Sequence, residues 1–460
     1  VERVLGKLLL PTIQEAIEKK EYRTLKEALS EIPSIDLADL VQDLEETERT
    51  LIFRLLPTER ATEVFEFLSV TDQEDLLSSL STDTCRQLLE QMSPDDRTQL
   101  LEELPAEVTR QLLALLSSEE RRLATTMLGY PEESVGRLMT TDFIDLRVTM
   151  TAGEALQRIR EVGLKKETVY YTYVIDKNRK LLGIISLKDL VLSDPETRIE
   201  ELMFKNVISC RTIMDQEEAA NLLKKYDLLA LPVVDRDDKL VGIITVDDLM
   251  DVLDVEATED IQMMAAVVPT ERAYLEVNWR SMLQRRLPWL MTLLFIELLA
   301  ALVLKHYSPE VQTVVPLLFF LPALIATGGN TGTQSSTMVI RALATGDIRL
   351  GDILRVVRRE IFVGLSLSLI LGIVIFMVAR VLVPGSGGVP AIFIALTVGM
   401  GLGVVVTVAN LAGTTLPFLL KTMRLDPALM SGPFISTTVD VAGLIIYLEI
   451  ARHVLSRFLA

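Results

Sequence analysis

The sequence predicts a multidomain membrane protein: a cytosolic all-α helical repeat domain (1–130), an α/β tandem pair (131–252), a connector helix (253–286) and a five-helix transmembrane domain (287–460). Three observations carry this reading. Charge is segregated, with 8 acids and 11 bases in residues 287–460 against 56 acids and 35 bases in residues 1–286. Five apolar stretches, each long enough to cross a hydrocarbon core of about 30 Å, all fall in the charge-poor part. The acidic part contains a twelve-residue repeat followed by two segments that match each other. A soluble half with a net charge of −21 does not seek nucleic acid or an anionic membrane face, and its natural small partners are cations. The two cysteines, Cys85 and Cys210, stand at no metal or redox spacing, which excludes a disulfide scaffold or a zinc module and fits a reduced cytosolic compartment. The charged, helix-patterned opening is not that of a signal peptide.

In residues 1–130 an apolar residue recurs every twelve positions, at Ile32, Leu44, Leu56, Leu68, Leu80, Met92, Leu104 and Leu116. Each is followed by Pro, Glu or Ser (Pro33, Glu45, Pro57, Ser69, Ser81, Ser93, Pro105, Ser117), residues suited to a helix start, with acids such as Asp72, Asp83, Asp95 and Glu119 just behind. Such short helices are unstable alone and must stack on a shared core as a small solenoid. An ion-sensing or interaction module and a plain scaffold both fit this pattern.

In the tandem pair, Gly136-Arg-Leu-Met139 answers Glu200-Glu-Leu-Met203, Val174-Ile-Asp176 answers Val233-Val-Asp235, and the run Leu181–Asp189 answers Leu240–Asp248. Each half reads strand, helix, strand, turn, strand, helix. The pattern of Gly-Ile-Ile, a hydroxyl, and Asp three residues later resembles the CBS domain. That resemblance implies adenine-nucleotide binding, with Ser186 and Asp189, and Thr245 and Asp248, on the ribose. A structural pair without nucleotide fits equally. The connector opens on Asp251, Asp254, Glu256, Glu259 and Asp260 and closes on Arg280, Arg285 and Arg286. One long helix, free of Gly and interrupted only at Pro269, is expected. Acids facing another acidic domain repel unless a dication lies between them, so the connector reads as either a switch or a solvated charged face.

The five spans run 287–304, 313–343, 361–379, 391–420 and 428–450. Basic residues flank alternate connections: Arg280, Arg285 and Arg286, then Arg341, Arg349, Arg355, Arg358 and Arg359, then Lys421 and Arg424. The positive-inside rule therefore puts the N-terminal half in the cytoplasm and the C-terminus outside. The second span contains the polar run Thr327–Ser336, too polar to face lipid and so expected to line protein or water, with a broken helix and freed carbonyls as one way of doing so. The fourth contains Asn410, Gly413, Thr414, Thr415 and Pro417. The fifth carries Asp440 near its middle, with Ser436, Gly443 and Tyr447 on the same helical face. A carboxylate there is costly and usually faces water or protein, which points to an ion pathway, although a protonated or structurally paired acid is the competing reading. The ligands on offer are hard oxygens, suited to magnesium or calcium.

The order of parts, with Pro322-Ala-Leu-Ile-Ala-Thr-Gly-Gly-Asn-Thr-Gly-Thr-Gln334 and Gly432-Pro-Phe-Ile-Ser-Thr-Thr-Val-Asp440, resembles the MgtE magnesium channels over essentially the whole chain. The resemblance implies a multi-pass homodimer among plasma-membrane lipids, with a twofold pore built from the second and fifth spans. Mg2+ would be both substrate and regulator, bound in the pore by Asp440, with Ser436 and Asn330 beside it. It implies closure by cytosolic Mg2+ at Asp95, Asp96, Asp215, Glu217, Asp227, Asp248, Asp251, Glu256, Glu259, Asp260 and Asp426, and modulation by ATP at the CBS pair. The rivals are a proton-coupled secondary transporter of divalent cations using Asp440 or Glu297, an intramembrane enzyme and an anion channel. No His-Glu-x-x-His motif supports the enzyme, and a bare mid-span Asp opposes anions.

Overall fold

The computed structural model describes residues 4–459 apart from 271–273, 275–276, 309–311, 313, 387 and 430–431. It divides into two compact units, Val1–Leu253 and Asp254–Ala460.

Among the described residues the first unit opens with ten helices: α1 (Val4–Glu18), α2 (Tyr22–Glu31), α3 (Ser34–Gln42), α4 (Glu46–Leu55), α5 (Thr58–Glu66), α6 (Val70–Ser79), α7 (Thr82–Gln91), α8 (Pro94–Glu103), α9 (Ala106–Leu115) and α10 (Ser118–Met127). The N-caps of α3 to α10 are the eight residues of the twelve-residue series, Pro33 through Ser117. Ser69, Ser81, Ser93 and Ser117 each accept a hydrogen bond from the N–H three residues on, a cap worth about 1 kcal/mol. The apolar residue before every cap is buried. Odd-numbered helices stack on odd, α1 on α3 through to α9, while α4 packs on α6 and α8 on α10. Two layers thus enclose a single core.

The tandem pair follows as two three-stranded sheets, β1 (Asp145–Arg147), β2 (Tyr171–Ile175) and β3 (Leu181–Ser186), then β4 (Cys210–Arg211), β5 (Ala230–Val234) and β6 (Leu240–Thr245). In each, the first strand is parallel to the second and the second antiparallel to the third. The helices are α11 (Val135–Leu138), α12 (Ala152–Val162), α13 (Leu187–Leu192), α14 (Ile199–Leu202) and α15 (Gln216–Tyr226). The two halves are cross-laced. Thr140 and Ile243 exchange N–H···O bonds of 2.8 and 2.9 Å, as do Ile184 and Phe204 at 3.1 and 2.9 Å. A Cβ on Gly183 would lie 2.8 Å from Met203 Sδ, and one on Gly242 2.8 Å from Met139 Sδ, so the methionine opening each half covers the glycine of the other.

Helix α16 (Val246–Met264) continues the pair's last helix into the connector. The expectation of one helix to Arg286 is corrected: the helix stops at Met264 and the chain turns at Ala266, whose φ is +59°. The side chain of Gln262 accepts from Thr270 N at 2.9 Å and donates to Thr270 O at 3.2 Å, and the Arg285 guanidinium donates to Pro269 O. A residue other than glycine in the left-handed region gave the sequence no visible break.

The membrane domain comprises α17 (Trp279–His306), the short α18 (Pro316–Phe319), α19 (Leu321–Ala344), α20 (Ile353–Leu382), α21 (Ala391–Thr422) and α22 (Gly432–Leu459). Among the described residues four helices, α17, α20, α21 and α22, are long and apolar enough to cross a membrane. The polar run Thr327–Ser336 keeps α19 below that threshold, yet α19 is central, packing on both α21 and α22. The expected break in the second span is absent, since α19 is continuous through Gly328, Gly329 and Gly332. Packing on α21 and α22 accommodates the polar run without freeing the helix carbonyls. The expected start of that span at 313 and the positions 430–431 of the fifth lie outside the described residues.

Candidate functional site

Two constellations emerge, one in each unit. The first surrounds Asp440. On α19, Gly329 presents bare backbone to α22: a Cβ there would overlap Ser436 Oγ, approach Ser436 Cβ to 3.2 Å and come within 3.3 Å of Asp440 Oδ1. Gly328 rests on Val405 and Val439, Gly332 on Ile435, and Gly413 of α21 packs directly on the Gly332 backbone. This glycine line lets α19 approach both neighbours closely. Asp440 Oδ1 is buried and has no hydrogen-bond partner, an arrangement that costs free energy unless a cation or its water shell completes it. Ser436 and Asp440 are half-buried, whereas Asn330 is exposed on another face of α19.

The polar stripe on α22 is shorter than expected. A Cβ on Gly443 would lie 3.1 Å from Val405, and buried Tyr447 donates its hydroxyl to Leu317 O at 3.1 Å. Both serve helix packing. Asn410 is a clamp rather than a free ligand: its Oδ1 accepts from Ser335 Oγ at 2.5 Å, while its Nδ2 donates to Glu360 O at 2.8 Å and Glu360 Oε2 at 3.1 Å. It ties α19, α20 and α21 together. Thr414 and Thr415 donate back to carbonyls of their own helix, at Asn410 and Leu411.

At the start of α22 a Cβ on Gly432 would meet Thr333 Cγ2, midway along α19, at 2.9 Å and Met264 O at 3.8 Å, so the end of α16 reaches the start of α22. Nearby, Asp260 titrates above its usual range, because of burial and then the charge of Asp426, with Arg341 opposing. Asp426 Oδ1 accepts from Ala428 N at 2.7 Å.

The second constellation gathers acids of the helical repeat and the tandem pair. Asp95 is 9% exposed and its Oδ1 has no hydrogen-bond partner. Burial, then the charge of Asp248, then that of Asp96 hold its carboxyl well above the ordinary range. Asp96 is raised by burial and by Asp247 and Asp251, against the stabilising Ser93 hydroxyl, which donates to Asp96 Oδ2 at 2.6 Å. Asp248 is pushed up to about 6 by burial, even though Thr245 donates both N–H and hydroxyl to it. Two residues join that the sequence reading missed. Glu66, which accepts from Ser93 N at 3.2 Å, is pushed up to about 8 by burial and then by Asp96. Glu167, at the rim, rises to about 7 through partial burial and then Asp248 and Asp247. Nothing local marked either residue, since long-range packing brings them in.

Among the described residues no three acids, histidines or cysteines converge closely enough to enclose an ion by themselves. Magnesium needs no such cage, because it keeps several waters and takes one or two carboxylates. Like charges packed together with an orphaned buried oxygen fit that mode. Asp251 acts on Asp96, and Glu256, Glu259 and Asp260 follow along α16. Asp215 caps α15, accepting from Glu217 N at 2.9 Å, and Asp227 ends that helix at φ +50°. Of the two nucleotide pairs, half-buried Ser186 and exposed Asp189 are linked at 2.6 Å, whereas Thr245 and Asp248 belong to the acidic cluster.

Family models match three parts of the chain: the MgtE intracellular N domain at 4–133, the CBS domain at 135–195 and 199–255, and a divalent cation transporter domain at 321–450. The chain is 39% identical to the magnesium transporter MgtE of Thermus thermophilus, over 97% of its own length and 98% of that protein's. It is 36% identical to the magnesium transporter MgtE of Enterococcus faecalis over 72% of its length and 71% of the relative's. A crystal structure described as the cytosolic domain of the Mg2+ channel MgtE in complex with ATP matches 53% of this chain and all of that one, with 38% identity and a TM-score of 0.51. The soluble part of a magnesium transporter matches 55% of this chain and 99% of that one, with 31% identity and a TM-score of 0.52. The acidic repeat, the paired α/β halves and the glycine-lined Asp440 thus lie in a chain that belongs to the MgtE family of magnesium transporters.

Proposed function

We propose that this chain assembles as a homodimer in the plasma membrane into a magnesium-selective channel that admits Mg2+ to the cytosol. The observation that supports it most is the unpartnered Oδ1 of Asp440, mid-span, against the backbone of Gly329. Twofold symmetry supplies a second Asp440 across the axis. Two such charges about 8 Å apart repel by roughly 2 kcal/mol at an effective dielectric near 20, and a dication between them reverses the sign. Held through its water shell, the ion binds and still leaves, and calcium's looser hydrate fits less well.

Cytosolic Mg2+ between the acids of the repeat and the CBS pair, and near Asp260 and Asp426, closes the pathway. The raised carboxyls of Asp95, Asp96, Glu66 and Asp248 support this, because burial first and the neighbouring acids after it disfavour their charged forms, and a dication among them would offset both. ATP modulates closure at Ser186 and Asp189, the open pair. The N-terminal half is cytoplasmic and the C-terminus outside. Asp440→Ala, reconstituted in proteoliposomes, loses magnesium flux while eluting as the parent dimer; normal flux would remove Asp440 from the pathway.

A further inference from the structure

Helix α17 carries one acid, Glu297, in the middle of its apolar stretch, ten residues after Leu287 and seven before Leu304. The helix has no buried residue and packs on α22 through a stripe that includes the half-buried Leu293, Ile296, Ala300, Val303 and Leu304. Glu297 follows Leu293 by four residues and precedes Ala300 by three, so it lies on the flank of that stripe. Its side chain is exposed. A carboxylate at this depth facing hydrocarbon is strongly disfavoured, and such residues face water or protein.

Its depth is that of Asp440. Helices α17 and α22 are the first and fifth crossings and run in the same direction. The Tyr307 hydroxyl, just beyond the end of α17, donates to Glu449 Oε1 at 2.5 Å, which fixes their relative height. Ten residues back from Tyr307, about 15 Å at 1.5 Å per residue, is Glu297; a similar step back from Glu449 reaches Asp440.

We propose that Glu297 is a second carboxylate of the cation pathway, facing the water shell of a divalent ion at the level of Asp440. The inference rests on the channel reading above and adds to it a residue on the first span. In the dimer it doubles the number of negative charges at this height from two to four. Asp440 holds the ion; Glu297 raises its local concentration and favours the dication over monovalent ions.

The test uses the full chain in proteoliposomes, with Mg2+ as permeant ion and cobalt(III) hexaammine, a fixed mimic of a hydrated dication's shell, as blocker. Glu297→Gln is expected to raise both the half-saturating Mg2+ concentration and the blocking concentration about tenfold, and Glu297→Asp to restore most of the loss. A purely structural role would lower flux without moving the blocking concentration. Glu297→Cys gives an independent arm, since the native cysteines are buried. A charged, impermeant methanethiosulfonate should modify it, and one bearing a sulfonate should recover the block. Parental block in Glu297→Gln, or a Cys variant inert to the reagent, would overturn the inference. Asp440→Asn runs alongside: if it conducts normally the channel reading itself fails, whereas loss there with parental behaviour in Glu297→Gln removes only Glu297.

Discussion

Replacing Glu66 with Gln should stabilise the magnesium-free protein, although it deletes a charge from an interdomain surface. In the fold the Glu66 carboxyl titrates near 8, against 4.5 for an ordinary glutamate, because it is buried and faces Asp96. The folded state therefore keeps a proton that the unfolded chain has lost above pH 4.5. Its contribution is neutral below about pH 4.5 and grows more unfavourable as pH rises to about 8, after which it is constant. At pH 7 the penalty is at most about 3 kcal/mol, taking 1.36 kcal/mol for each pH unit above 4.5. Gln keeps the oxygen that accepts from Ser93 N and removes the titration. At 2–4 °C for each kcal/mol in a domain of this size, Glu66→Gln should raise the cytosolic Tm by up to about 10 °C in EDTA at pH 7. Magnesium should give the parent a comparable rise and the variant a smaller one. Scanning calorimetry of the detergent-purified chain at pH 6, 7 and 8, with EDTA or MgCl2, measures all of this. A Tm that falls in the variant, or a parent whose magnesium-free Tm does not drop between pH 6 and 8, would refute the electrostatic account.

Gly329→Ala places a methyl against Ser436 and Asp440 Oδ1. The clash should cost about 1–3 kcal/mol and reduce magnesium flux in proteoliposomes well before it impairs assembly on gel filtration. Asn410→Leu breaks the bonds to Ser335 and Glu360 and leaves both with unmet polar groups. It should destabilise the membrane domain by about 1–3 kcal/mol, visible as a lower detergent-unfolding midpoint.

The twelve-residue series fell on the observed N-caps because capping is a local transaction between a residue and the N–H groups just after it. The tandem halves were equally readable, since each repeats the same strand and turn pattern. Asp440 stood out as a lone charge in an apolar run. What stayed hidden depends on distant partners. Glu66 and Glu167 look like ordinary surface acids until Asp96 and Asp248 fold beside them. Asn410 resembles a cation ligand until Ser335 and Glu360 occupy it, and the face shared by Asp440, Gly443 and Tyr447 becomes packing where α21 and Leu317 meet it. Helix periodicity tells which residues share a side, not what lies opposite.

The wall facing Ser436 and Asp440 is made of main chain, because Gly329 contributes no side chain there. Such a wall offers little for mutation to adjust: a larger residue at Gly329 can only obstruct, and none smaller exists. In the proposed pathway, tuning of ion preference then falls to the opposite helix and its neighbours, at Ser436, Asp440 or Glu297. One side of that proposed passage acts as a fixed ruler, and the other is where evolution, or an engineer, can change what is measured.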